Sequence, residues 1–140
     1  MNNCELKAEE LFKSGKNCSQ AVFLAFADKY GLSDDVASKI SCGLGGGVGR
    51  MREVCGAVSG ASLVFGLEYG DDKAVVYGYV QDFCRRFKDE CGSIICRELL
   101  EGTGATQGGA PEERTQAYYA KRPCVEMVKL AVRILTEMGL

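Results

Sequence analysis

The chain of 140 residues contains no histidine and no tryptophan, and only two prolines. Without histidine it can supply no Cys–His nucleophile pair, no Ser–His–Asp triad, no Cys2His2 zinc site and no imidazole ligand to a haem. No apolar run approaches the ~20 residues that a membrane span requires, so no membrane span is expected. The opening Met-Asn-Asn-Cys-Glu-Leu-Lys lacks the charged-then-apolar order of a secretory leader, which makes a cytoplasmic protein the expectation. A basic stripe is missing too: 17 Lys and Arg are scattered among 19 Asp and Glu for a net charge of −2, and a nucleic-acid partner is not expected. There is no Cys-x-x-Cys, the motif on which thioredoxin-like and zinc-ribbon sites depend.

What the chain has instead is cysteine and glycine, eight of the first and 18 of the second. Eight cysteines in a secreted protein of this size would read as a disulfide framework. In a reducing compartment they read as metal ligands, redox-active thiols or small buried side chains. A hydrophobic fraction of 46% with 26% charged residues is that of a chain able to bury its own core. Apolar residues recur at three- and four-residue steps, as at Leu6, Ala8 and Phe12 and again at Val22, Phe23, Phe26 and Ala27. This spacing predicts an all-α bundle of about six to seven helices, a single domain over 1–140, with helices near 4–14, 18–30, 33–42, 54–69, 71–90, 93–101 and 121–138. Gly15 and Gly31 close helices, Ser33 opens one, and Asp71 after Gly70 is the expected cap of another. Two glycine-rich stretches, Gly43 to Gly49 and Gly102 to Gly109 running on to Glu113, are the candidates for mobile or functional loops.

Four cysteines fall at predicted helix starts. Cys18 follows Gly15-Lys16-Asn17, Cys55 follows the glycine run and Arg50-Met51-Arg52, Cys96 lies a few residues beyond Gly92, and Cys124 follows Lys121-Arg122-Pro123. The unpaired N–H groups and partial positive charge of a helix N-terminus stabilise a thiolate, and the neighbouring Lys and Arg act in the same sense. These four are therefore the candidate catalytic thiols, with Cys55 as the attacking or sensing thiolate and one of the others resolving it. As the alternative, the same four would ligate a metal such as zinc or an iron–sulfur cluster. Cys4, Cys42, Cys84 and Cys91 show less of this context and read as packing or incidental thiols.

The run Cys42-Gly-Leu-Gly-Gly-Gly-Val-Gly-Arg50 has no preceding strand and no closing Gly-Lys-Ser/Thr, so it is not a phosphate-cradling nucleotide loop. Gly46, Gly47, Gly49 and Arg50 are instead expected to present backbone N–H groups to Cys55 or to bind a small anion or cofactor, and a plain interhelical loop is the competing reading. Tyr77, Tyr79, Tyr118 and Tyr119 read as core or rim aromatics. Asp71 with Asp72, Asp89 with Glu90 and Glu112 with Glu113 read as caps or solvated faces.

Cys55-Gly56-Ala57-Val58-Ser59-Gly60 resembles the central motif of the C-GCAxxG-C-C family, described as redox-active. Asn17-Cys18-Ser19-Gln20-Ala21-Val22 resembles that family's first cysteine segment, Gly45-Gly46-Gly47-Val48-Gly49-Arg50 its glycine run, and Cys96 in Ser93 to Leu99 and Cys124 in Arg122-Pro123-Cys124 its last two cysteines. The resemblance implies a small helical protein with four hallmark cysteines and a redox role, grouped with oxidoreductases or transporters. Three functions are expected on these grounds: a thiol–disulfide redox protein, a thiolate-ligated metal or cluster protein for electron transfer or metal handling, and a helical scaffold, a homodimer in one form of this reading, for an oxidoreductase or transporter partner.

Overall fold

A computed structural model describes residues 2–140. Among them the fold is all-α, and six helices have eight or more residues: α1 (Asn3–Lys13), α2 (Cys18–Ala27), α3 (Asp34–Ser41), α4 (Gly56–Tyr69), α5 (Lys73–Cys91) and α8 (Cys124–Glu137). Two short ones, α6 (Cys96–Leu99) and α7 (Gln116–Lys121), flank the long glycine-rich connection. No helix among the described residues is long and apolar enough to cross a membrane.

The centre of the bundle is α2, whose residues Ser19 to Ala27 are all buried. A helix apolar on every side must be surrounded, and α2 packs against α4, α1, α3 and α8. Its tightest neighbour is α4, because Gly60 lies directly against the Ser19 carbonyl: a Cβ at Gly60 would come within 2.7 Å of that oxygen. Phe12, Phe23, Phe26, Phe65, Phe83, Phe87 and Leu135 fill the core where the helices meet, each 2% exposed or less. Phe65 and Phe83 meet edge to face at 6.0 Å between ring centroids.

The helix ends follow from local chemistry. Asn17 and Gln20 form a reciprocal capping box at the start of α2. The same two side chains reach α3 and its C-terminus, Gln20 donating to the Ser38 carbonyl at 3.1 Å and Asn17 to the Cys42 carbonyl at 2.9 Å. The start of α2, and Cys18 with it, is thereby fixed in two directions. Ser33 caps α3 as expected.

Three expectations change in detail. The cap of α5 is Asp72, not Asp71, since its carboxylate accepts from Ala74 and Val75 N–H. The segment expected to be helical over 93–101 keeps only the single turn α6, because Ile95 is extended and pairs with Val54. The helix expected from 121 begins at Cys124: Arg122 is extended, as the residue before a proline tends to be, and separates α8 from α7.

Candidate functional site

The four helix-start cysteines converge. Cys18, Cys55, Cys96 and Cys124 all line one cavity with room for about 50 Å³, bounded also by Gly46, Gly47, Arg52, Arg114, Tyr118 and Arg122. Each arrives from a different part of the chain, and each is placed by an identifiable contact.

Cys18 and Cys55 are brought together by the α2–α4 packing. Gly56, next to Cys55, touches the Cys18 side chain, and a Cβ there would lie 3.2 Å from the Cys18 Cβ. Cys55 and Cys96 are joined by a short antiparallel pairing centred on Val54 and Ile95. Its bonds run from Cys55 N–H to the Ile94 carbonyl at 2.8 Å and from Cys96 N–H to the Glu53 carbonyl at 2.6 Å. Cys124 is the first residue of α8 and enters the cavity beside Cys18.

The glycine run wraps the far side. Gly46, Gly47 and Gly49 have φ of +67°, +69° and +55°. Gly47 is the position where this matters most, since a Cβ there would lie 2.7 Å from the Cys96 Cβ. The run thus packs on Cys96. The N–H groups of Gly49, Arg52 and Glu53 go to the run's own carbonyls at Gly43, Gly46 and Gly47. What the run offers the site is close approach and the two arginines that follow it.

Those arginines meet the second glycine-rich stretch. Arg50 donates to the carbonyls of Gly108 and Thr106, and Arg52 to the carbonyl of Thr106. The same stretch runs on to bring Glu112 to Arg50, Arg52 and Arg122, all three of which contact its Oε1. Burial pushes the Glu112 carboxyl up, but Arg122, Arg50 and Arg52 outweigh it and hold the group below its usual range. Glu112 is therefore an ion-pair anchor, where the sequence read as a cap or a solvated face. Arg114 stacks over Phe12 and Tyr118 and donates to the carbonyls of Phe12 and Lys16. The sequence gives no signal for Arg114 and reads Tyr118 only as a core or rim aromatic, because both join the site through contacts between residues far apart in the chain.

The four thiols do not share one electrostatic fate. Cys18 and Cys124 influence each other more than anything else does, and in opposite senses: Cys18 is raised and Cys124 is lowered. Burial opposes ionisation of Cys124, while Arg122, Arg114 and Arg52 favour it, and the net shift is downward. Burial pushes Cys55 up to about 12, against the smaller pull of the Ala57 and Val58 N–H groups. Burial also raises Cys96, although Arg52 donates to its sulfur at 3.7 Å. Of the four thiols only Cys124 is shifted downward. The sulfurs line a common cavity without closing into a cage: among the described residues no three Cys, Asp or Glu side chains are arranged to hold a metal ion.

The other cysteines lie elsewhere. Cys42 is exposed, while Cys4, Cys84 and Cys91 are half-buried; the Cys91 thiol donates to the Phe87 and Ser93 carbonyls.

Comparison with known proteins gives one match. A family model described as "Putative redox-active protein (C_GCAxxG_C_C)" covers residues 16–138. No curated protein and no solved structure matches the chain.

Proposed function

The chain belongs to the C_GCAxxG_C_C family, described as redox-active, and from that premise we propose that it is a dithiol–disulfide redox protein in which Cys124 attacks and Cys18 resolves. The observation that carries the reading is the placing of Cys18 and Cys124 together in one cavity with Cys55 and Cys96, bordered by Arg122, Arg114 and Arg52.

In this reading the Cys124 thiolate attacks one sulfur of a disulfide substrate. The substrate S–S bond breaks, one half leaves as a thiolate, and the other remains bonded to Cys124. Once Cys124 is bonded to the substrate its negative charge no longer holds the Cys18 proton on, so Cys18 ionises more readily. Its sulfur attacks Cys124, the mixed disulfide breaks, and the second half leaves. The substrate is reduced by two electrons to one thiolate and one thiol, the proton coming from Cys18, and the Cys18–Cys124 pair is oxidised to a disulfide. The attacking role passes from Cys55, which burial keeps protonated, to Cys124.

The test is to mix fully reduced protein with a small disulfide, trap free thiols by alkylation in acid, and map the linkage by mass spectrometry. A Cys18–Cys124 bond is expected; Cys18→Ser should stop at a mixed disulfide on Cys124, and Cys124→Ser should not react at this pair. Alkylation of the reduced protein across pH should modify Cys124 first, at a pH below that of an ordinary thiol. Equal, slow labelling of all four cavity cysteines would sink the reading.

A further inference from the structure

Beside the thiol cavity lies a second, wider pocket of about 240 Å³, lined by Arg50, Arg52, Arg114 and Arg122 with Glu112, and floored by Gly45, Gly46, Gly49 and Pro111. Arg52, Arg114 and Arg122 border both spaces. We propose that this pocket binds an anionic group of the substrate, so that the protein acts on small disulfides carrying carboxylates or comparable anions. The proposal rests on the dithiol reading above and adds the substrate class to it.

The argument is one of charge. The side chains of Arg52 and Arg122 are 8% and 7% exposed, and that of Arg50 12%. Buried charge is costly unless it is matched. Four guanidinium groups here face one carboxylate, and three of them crowd onto the same oxygen of Glu112. Their other bonds go to uncharged carbonyls and hydroxyls of Thr106, Gly108, Phe12, Lys16 and Tyr119, and to the Cys96 sulfur. These satisfy N–H groups and leave the charge excess in place. A carboxylate of matching planar geometry is what such guanidiniums recognise.

The two spaces also fit one ligand. An anion held in the outer pocket would leave the next few atoms of the molecule to reach the inner cavity, where about 50 Å³ admits the sulfur end of a small disulfide and little more. Three of the four arginines that would hold the anion are the same that favour the Cys124 thiolate. A cationic disulfide would be repelled by both.

Three probes of similar size separate the possibilities: dithiodipropionate, bis(hydroxyethyl) disulfide and cystamine, which are anionic, neutral and cationic. The rate at which each forms the Cys18–Cys124 bond is divided by its rate with free mercaptoethanol. The anionic probe is expected to exceed the neutral one by about tenfold or more, with the cationic probe slowest and the advantage shrinking as salt is added. Arg50→Met should lower the anionic-to-neutral ratio severalfold, whereas Glu112→Gln, which removes the competing carboxylate, should raise it. Opposite movements in the two variants cannot come from simple loss of fold. Equal normalised rates for the three probes, or a ratio that neither variant moves, would overturn the anion site while leaving the dithiol reading standing. Failure of every probe to form the bond would overturn both.

Discussion

Cys55 and Cys124 both stand at the start of a helix, yet their thiols move in opposite directions. Cys124 has Cys18 and three arginines nearby; Cys55 is 5% exposed and lies among apolar neighbours. Burial and neighbouring charge outweigh the field of the helix terminus, which is worth at most about 1–2 kcal/mol. The shift of Cys55 has a consequence for stability. Its thiol ionises near 9.0 in the unfolded chain and near 12 in the folded one. Between those values the unfolded state sheds the proton and the folded state keeps it, so the contribution is complete below pH 9 and is lost as pH rises toward 12. Urea unfolding measured from pH 8 upward should show stability falling, and Cys55→Ala should flatten the slope by up to about 1.4 kcal/mol per pH unit. An unchanged slope would mean that Cys55 is not held as a buried thiol.

At the scale of elements, the approach of α4 to α2 decides whether the site exists, since it sets Cys55 beside Cys18. Gly60 permits that approach against the Ser19 carbonyl, whereas Gly78 in α5 has nothing within 4 Å of where its Cβ would be. Gly60→Ala should therefore destabilise by about 1–3 kcal/mol through overpacking. It should also slow Cys18–Cys124 bond formation by displacing the start of α2. Gly78→Ala should stabilise by about 0.5–1 kcal/mol, because alanine is the better helix former and meets no obstacle. Thermal unfolding of both variants checks the pair, and a stabilised Gly60→Ala would contradict the packing described. Chemically similar substitutions thus have opposite expected signs, and only the facing helix distinguishes them.

Across the whole molecule, the first glycine-rich stretch and four helix starts border the thiol cavity, and the bond proposed between Cys18 and Cys124 would tie the beginning of α2 to the beginning of α8. Closing a loop that spans most of the chain restricts the unfolded state, an effect commonly worth about 2–4 kcal/mol. The arginine contacts that favour the reduced Cys124 thiolate offset part of it. The oxidised protein should accordingly resist denaturant more than the reduced protein, by an amount near the low end of that range. Comparing unfolding midpoints before and after oxidation checks this. A less stable oxidised form would mean that the linkage strains the bundle.

Much of this protein is a local matter. Helical periodicity and caps such as Ser33 depend on residues a few positions apart, and the sequence alone is sufficient to read them, as it is for an all-α chain built around four cysteines at or near helix starts. The segments that go astray, 93–101 and the approach to Cys124, are those whose backbone is claimed by distant partners or by a proline. Tertiary structure alone decided that the four cysteines share a cavity, that Glu112 gathers Arg50, Arg52 and Arg122, and that Arg114 and Tyr118 join them. It alone also decided that Cys124 is the thiol driven toward ionisation. The physical reason is range: capping and helix periodicity act over a few residues, whereas desolvation and charge act through space, between groups that lie far apart in the chain.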